Sequence, residues 1–223
     1  MSIQRLLIVV IVICCCFSAT STAKAGSDYY LNDEFSFRAQ AFKNWNGEKI
    51  SCFVQEKEDG WLEASFWWND PDVNMLVSEY AVSENSELYA VVDGVLYSKD
   101  MGTLLLYPPM KDSSFFMVPS TVHKISDVAF MGSYNLKILI IPNSVNQFGD
   151  NYGSDLFYES CIEVIYFPDS IKTDIDIDAF AYMPCVQRIY IPNNSEIAQR
   201  FVEADESGYL TFVSSGIVCF YDH

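Results

Sequence analysis

The chain has 223 residues, of which 50% are hydrophobic and 15% are aromatic, and it carries a formal net charge of −17. This much apolar content is typical of a globular protein and excludes an acidic disordered chain. The negative charge disfavours binding to nucleic acid or to anionic lipid surfaces, because both repel an acidic protein.

Residues 1–25 have the layout of a secretory signal peptide. Arg5 gives a positive start, residues 6–17 are uninterruptedly apolar, and Ala23-Lys24-Ala25 offers small residues for cleavage before Gly26. The apolar run is shorter than the roughly 20 residues that a membrane-spanning helix needs. A retained membrane anchor is the alternative. We therefore expect a secreted or cell-surface protein with no stable membrane span after signal cleavage.

Residues 26–78 are predicted to form a β-rich N-terminal cap. Ile50–Glu56 and Trp61–Trp68 read as strands on either side of a turn at Asp59-Gly60. The density of tryptophan is unusual, and closing the apolar end of a stacked fold is one role for such rings. An aromatic platform for sugar rings, and so an alternative binding site, is the other role. The tryptophans concerned are Trp61, Trp67 and Trp68.

Residues 89–108 are predicted to be a β-hairpin insertion. Asp93-Gly94 lies between two apolar runs and predicts a tight turn, and Lys99–Gly102 predicts a second one. We expect three strands here, inserted between the first and second repeat strands.

One pattern then occurs three times: an apolar residue, two free positions, an apolar residue, one free position, an apolar residue and proline. The copies are Leu136–Pro142, Ile162–Pro168 and Val186–Pro192. Together with Pro119, their prolines recur every 23 to 26 residues. Repetition at this period predicts a solenoid, in which each coil buries its apolar face against its neighbours.

Several segments in this part of the chain also resemble a known family. They are Asp93–Asp100, Thr103-Leu104, Tyr107-Pro108, Val118–Phe130, Ile141–Val145, Asp169–Ile171 and Ala179-Phe180. Over about residues 79–200 they are similar to the hairpin segment and repeat unit of BspA-like leucine-rich repeat surface proteins. In one unit, Leu156-Phe157 replaces the Ala-Phe pair of that family.

The resemblance implies a leucine-rich repeat solenoid, mainly β, with short strands and irregular convex connections. The repeat domain would cover residues 79–223, with a short C-terminal cap of helix and strand at 193–223. A helix is predicted to start after Asn194 or Ser195, and a final strand or two to lie within Tyr209–Tyr221. The implied function is non-covalent adhesion to, or recognition of, a protein or glycan of a host or neighbouring cell.

The free positions of the repeat strands predict the partner-binding surface. They should point outward from the sheet, and they are apolar and aromatic with one guanidinium. Tyrosine and arginine are enriched at binding hot spots. The alternative is that the N-terminal cap or another copy of the chain covers this face, as in a structural envelope component. The residues are Ile138, Ile140, Val164, Tyr166, Arg188 and Tyr190.

Two groups of side chains have alternative interpretations. Cys161 and Cys185 each lie seven residues before a repeat proline, so they should stack in adjacent coils, as a disulfide or as two buried thiols. If Asp174, Asp176 and Asp178 lie on an extended segment, they share one face and are a weak candidate for Ca²⁺. The alternative is a solvated acidic edge.

No catalytic motif emerges from the sequence. A Gly-rich phosphate loop, HExxH and a nucleophile elbow are all missing, and the histidines are His123 and His223. Glycan hydrolysis by two carboxylates is the remaining enzymatic hypothesis, because the chain has 30 acidic residues. No pair among them is marked out by the sequence. We expect a non-enzymatic protein without a cofactor.

Overall fold

A computed structural model describes residues 37–42, 50–56, 77–149, 155–169, 171 and 175–222. The predicted signal peptide, the tryptophans Trp61, Trp67 and Trp68, and Asp174 lie outside these residues. Within them, no helix has both the length and the apolar character needed to cross a bilayer.

The described residues form thirteen strands, one 3-10 helix and one α-helix. The strands are β1 (Phe37–Phe42), β2 (Ile50–Glu56), β3 (Val77–Val82), β4 (Tyr89–Val92), β5 (Val95–Ser98), β6 (Thr103–Leu106), β7 (Phe115–Met117), β8 (Lys124–Ile125), β9 (Ile138–Ile140), β10 (Gln147–Phe148), β11 (Val164–Tyr166), β12 (Arg188–Pro192) and β13 (Val218–Tyr221). The helices are the 3-10 helix Ile177–Phe180 and α1 (Glu196–Ser207).

The predicted repeat strands lie side by side in one parallel sheet, here called the repeat sheet. Its order is β13-β12-β11-β9-β7. Residues at the same position of the repeat pair with one another, so that Ile165 pairs with Leu139 on one side and Ile189 on the other. The proline-based period therefore gave the correct register, and the chain is a mainly β solenoid.

A second five-stranded sheet, here called the second sheet, has the order β10-β8-β6-β5-β4. The predicted turn is present between β4 and β5, where Asp93 and Gly94 have φ of 50° and 74°. Positive φ at both residues is what a type I′ turn requires. β6 pairs antiparallel with β5 and in parallel with β8. It therefore connects the β4–β5 hairpin to the parallel strands β8 and β10 on this side of the solenoid.

Tyr80–Val82, the segment that leads into the hairpin, does not belong to the repeat sheet. That segment belongs to β3, which pairs in parallel with β2 in a separate three-stranded sheet with β1. Its Val77 and Tyr80 pack with Cys52 and Val54 in a second hydrophobic cluster. The first strand of the repeat sheet is β7.

The core lies between the repeat sheet and the second sheet. Leu139, Ile165 and Ile189 point inward from the first and are fully buried, and Val145 and Phe148 close the layer from the other wall. A phenylalanine ladder runs along the solenoid through the connections, with centroid distances of 6.1, 5.4 and 4.9 Å between successive rings. Its members are Phe130, Phe157, Phe180 and Phe201.

The predicted C-terminal helix is α1, and the cap has the expected chemistry. Ser195 is the N-cap residue, and its Oγ accepts a hydrogen bond from the Ala198 amide at 3.2 Å. Gly208 ends the helix with φ of 77°. α1 packs Phe201 into the ladder, and the chain then returns as β13 to extend the repeat sheet beside β12.

Candidate functional site

The outward side of the repeat sheet, here called the outer face, carries two columns of side chains. Alternation along a strand sends every second residue outward, and the parallel register aligns those residues across strands. The first column is Phe115, Ile138, Val164 and Arg188. The second column is Met117, Ile140, Tyr166, Tyr190 and Cys219. All the residues predicted for the sheet face lie in these columns.

The outer face is unusually apolar for a solvent-exposed surface. Met117 is 55% exposed, Phe115 is 45%, Tyr166 is 39% and Ile138 is 37%. The other large hydrophobic side chains with such exposure in the described residues are Val92, Tyr182 and Tyr209, which lie elsewhere. A contiguous exposed apolar patch with polar residues at its rim marks an interaction surface more often than scattered exposed residues do.

Two stacked tyrosines form the most regular feature of the outer face. The rings of Tyr166 and Tyr190 are stacked, with centroids 4.5 Å apart and planes inclined by 3°. Within the described residues neither hydroxyl makes a hydrogen bond to the protein, so both can accept or donate toward a ligand. The pair thus offers an aromatic surface with two polar tips at its outer end.

Arg188 supplies the positive charge of the outer face. Its Nη1 donates to the backbone oxygen of Gln187 at 2.7 Å, and in the described part of the chain no carboxylate forms a salt bridge with it. Glu163, one position before the columns, accepts from Gln187 Nε2 at 3.1 Å and pairs with Lys137 at 3.4 Å. These neighbours make a polar rim and leave the guanidinium available for an anionic or carbonyl group.

Sequence reasoning missed both ends of the outer face. Phe115 and Met117 were not predicted to lie there, although Phe116, Val118 and Pro119 reproduce the second half of the repeat pattern. The first apolar position of that copy is Ser113, which hid the strand. Cys219 was missed as well, because no proline follows β13 and its alternation is short.

The second sheet presents a different outward surface. Thr103 of β6, Lys124 of β8 and Gln147 of β10 form one outward row that pairs in register, while Leu104, Ile125 and Phe148 point into the core. These outward side chains are polar or charged. This surface provides a natural reference for the outer face, since both are built by the same coils.

The described part of the acidic run turns into a helix after Asp176. Ile177–Phe180 is a 3-10 helix, with Asp176 as its N-cap residue accepting from the Asp178 amide at 3.0 Å. Asp178 accepts a hydrogen bond from the Tyr209 hydroxyl at 2.6 Å, and this bond raises the pKa of Tyr209. Among the described residues no three acidic, histidine or cysteine side chains form a group that could hold a metal ion.

Cys161 and Cys185 lie at equivalent places in adjacent coils, as predicted, and are free thiols in the structure. Burial raises the pKa of the Cys161 thiol to about 11, and a hydrogen bond with the Cys185 thiol acts in the same direction. The two sulfur atoms are therefore neighbours.

Comparison with known proteins identifies the repeats. Residues 111–214 match the family model described as BspA type leucine-rich repeat region, in 6 copies. These residues are therefore a BspA-type leucine-rich repeat region, which confirms the resemblance seen in the sequence. The match begins after the hairpin of β4 and β5. No curated protein matches the chain.

Three solved structures are similar to about half of the chain. The pneumococcal vaccine antigen PcpA has 22% identity and a TM-score of 0.44 over 53% of this chain and 34% of its own. A leucine-rich repeat protein from Eubacterium ventriosum has 17% identity and a TM-score of 0.37 over 54% and 44%. A leucine rich cell surface protein from Faecalibacterium prausnitzii has 24% identity and a TM-score of 0.39 over 54% and 37%. The chain thus aligns with less than half the length of each.

Proposed function

We propose that this BspA-type leucine-rich repeat region is a recognition module that binds a protein or glycan of a host or neighbouring cell through its outer face. The observation that carries the proposal is the contiguous apolar and aromatic surface of the repeat sheet on a chain with a net charge of −17. A solvated sheet face normally alternates apolar-inward with polar-outward residues, as Lys124 and Ile125 of β8 and Gln147 and Phe148 of β10 do.

The geometry of the face suits an extended ligand. Neighbouring strands lie about 4.8 Å apart, so five strands present a surface roughly 20 Å across. Tyr166 and Tyr190 provide ring surface for apolar groups or sugar rings, and Arg188 provides donors for a carboxylate or carbonyl group. Because strands rather than loops hold these side chains, little conformational entropy is lost when a partner binds.

We place the protein outside the cytoplasm, either secreted or at the cell surface. The layout of residues 1–25 and the BspA-type repeats support this location. Binding is non-covalent and non-enzymatic in this proposal. What supports it is the outer face itself, where the arranged groups are aromatic rings, aliphatic side chains and a guanidinium rather than a nucleophile beside a base.

A structural role is the second candidate function. The exposed fraction of Phe115, Met117 and Ile138 favours it, because a second copy of the chain could cover this apolar end of the outer face. Size-exclusion chromatography with light scattering separates the two roles. A stable oligomer that becomes monomeric when Met117 is replaced by Ser supports self-assembly, and a monomer at micromolar concentration supports a free recognition face.

The proposal is tested by binding the purified chain to an array of matrix proteins and glycans. One variant removes the polar and aromatic anchors (Tyr166→Ala, Arg188→Ala and Tyr190→Ala). A matched control removes three outward side chains of the second sheet, one of them also a cation (Thr103→Ala, Lys124→Ala and Gln147→Ala). Circular dichroism checks that both remain folded.

A ligand that is lost with the first variant and retained by the control supports the outer face as the recognition surface. A ligand that both variants retain places the site elsewhere on the chain. A ligand that is lost only with the control contradicts the assignment of the two faces.

A further inference from the structure

We propose that Cys161 and Cys185 form a site of thiol oxidation, at which a disulfide joins two adjacent coils of the solenoid. The inference concerns a covalent modification and does not depend on which partner, if any, binds the outer face.

The register of the two coils brings the cysteines together. The backbone oxygen of Glu163 accepts hydrogen bonds from the amides of Gln187 and Arg188, at 2.8 and 3.0 Å, and Val164 pairs with Arg188. Cys161 precedes Val164 by the same number of residues as Cys185 precedes Arg188. Equivalent positions of neighbouring parallel segments lie about 4.8 Å apart, within the Cα separation of roughly 4.4 to 6.8 Å that disulfides span.

The electrostatics of the two side chains agree with this proximity. Burial, followed by interaction with the Cys185 thiol, raises the pKa of Cys161. Both cysteines are half-buried, so a small reagent can reach them, whereas Cys52 is fully buried in the other hydrophobic cluster. Cys219 lies on the outer face beside Tyr190, away from the pair in the register.

The oxidant we assign is a small-molecule disulfide, such as oxidised glutathione. The thiolate of one cysteine attacks a sulfur of that disulfide, forms a mixed disulfide and releases one reduced thiol. The second cysteine, as its thiolate, then attacks the protein sulfur of the mixed disulfide and releases the other reduced thiol. Two electrons and two protons pass from the cysteine pair to the oxidant, and one intramolecular S–S bond is formed.

The position of the bond gives it a structural consequence. Each coil runs from its cysteine into the strand that carries one of the stacked tyrosines, Tyr166 or Tyr190, five residues later in both coils. A disulfide would therefore restrict the relative displacement of the coils that hold this pair. It would also close a loop of the unfolded chain and so favour the folded state.

The test uses the chain purified from a secreting host, fully reduced and then exposed to increasing concentrations of oxidised glutathione. Peptide mapping under non-reducing conditions is expected to show a Cys161–Cys185 cross-link, with Cys52 unmodified. Oxidation is expected to raise Tm by several degrees, about 5 °C or more, reversibly on reduction.

Three variants control the result. Cys161→Ser and Cys185→Ser should each abolish both the cross-link and the gain in Tm, and Cys219→Ser should retain both. Glutathione adducts on Cys161 and Cys185 without a cross-link would overturn the proposal, as would a cross-link to Cys219. The peptide map of the wild-type chain alone shows whether Cys161 and Cys185 are cross-linked. The test therefore remains valid if a variant folds poorly.

Discussion

The repeat sheet and the second sheet are made by the same coils, yet they differ on the side that faces away from the core. Their inward residues are alike, with Leu139 and Ile165 buried in one and Ile125 and Phe148 buried in the other. Their outward residues are aromatic and aliphatic in the repeat sheet but polar at Thr103, Lys124 and Gln147 of the second sheet. Core packing explains the inward set in both sheets, but it explains neither the outer face nor the polar row of Thr103, Lys124 and Gln147.

The difference therefore carries information about function. Solvent exposure of apolar surface does not stabilise a folded protein, and a polar residue fits an outward strand position equally well, as Lys124 and Gln147 show. A contiguous exposed apolar surface such as the outer face marks a site at which a partner binds. Substitutions in the shared core should therefore change stability, whereas substitutions at the outward positions should change stability little.

The largest effect is expected at the shared core, where the two sheets cannot be separated. Phe157 is fully buried in the phenylalanine ladder, between Phe130 and Phe180. Replacing it by Ala should lower the free energy of unfolding by about 3 to 5 kcal/mol, because a cavity remains between the stacked coils. Urea denaturation monitored by circular dichroism measures this, with Phe157→Leu as the milder control. A loss below about 1 kcal/mol would show that the ladder does not hold the coils together.

A smaller loss is expected at the end of β10, in the second sheet. Gly149 has φ of 57°, and a Cβ there would collide with the carboxylate of buried Asp127. Gly149→Ala should reduce the free energy of unfolding by about 1 to 3 kcal/mol through backbone strain and this contact. If the two outward surfaces are independent, the folded fraction of this variant should bind any outer-face ligand with unchanged affinity. Weakened binding by fully folded protein would show that the surfaces are connected.

A still smaller loss of stability is expected at the edge of the repeat sheet. The Tyr221 hydroxyl in β13 lies 2.7 Å from the Phe167 backbone oxygen and 2.9 Å from Asp169 Oδ1, and shares its single proton between them. Tyr221→Phe should lower the free energy of unfolding by about 0.5 to 1.5 kcal/mol at neutral pH. Chemical denaturation at pH 7 measures the difference.

The same hydroxyl gives a dependence on pH. Burial, followed by the hydrogen bond to Asp169, raises the pKa of Tyr221 from 10.0 to about 12. Since the folded chain holds this proton more tightly, the stabilisation is complete below pH 10 and disappears as the pH rises through about 12. The difference in stability between the wild-type chain and Tyr221→Phe should therefore shrink over this range. A difference that grows with pH would contradict the assigned hydrogen bonds.

The smallest effects on stability are expected at the outward positions themselves. Lys124→Ala and Gln147→Ala should each change the free energy of unfolding by no more than about 0.5 kcal/mol. Tyr166→Ala and Tyr190→Ala each remove the stacking between the two rings, and a double-mutant cycle should give a coupling of about 0.5 to 1.5 kcal/mol for this contact. Thermal denaturation of the four single variants and the double variant measures these terms. A loss of more than 3 kcal/mol for either tyrosine would show that it serves the fold rather than binding.

The sequence predicted the outer face because a repeating proline fixes the strand register. Once the register is set, alternation along each strand decides which side chains point outward, as it does for Ile138, Tyr166 and Tyr190. Helix α1 was predictable for a local reason too, since Ser195 provides a cap and Glu196 begins an amphipathic segment.

Two features could not be predicted from local patterns. The alternation at Tyr80–Val82 indicates a strand, but its choice of β2 as a partner is a long-range pairing that no nearby residue specifies. The alternating Asp and Ile residues before Phe180 fit an extended strand as well as a capped turn. The Asp176 carboxylate selects the turn by accepting from the Asp178 amide.

The most direct measurement is the affinity of single variants for a partner identified on the array. Tyr166→Ala and Tyr190→Ala should each raise Kd at least about 10-fold, because aromatic anchors at the centre of an interface contribute more than 1 kcal/mol. Lys124→Ala and Gln147→Ala should leave Kd within about 2-fold, as outward substitutions far from the contact do. Equal losses on the two sheets, or a loss confined to the second sheet, would contradict the assignment of recognition to the outer face.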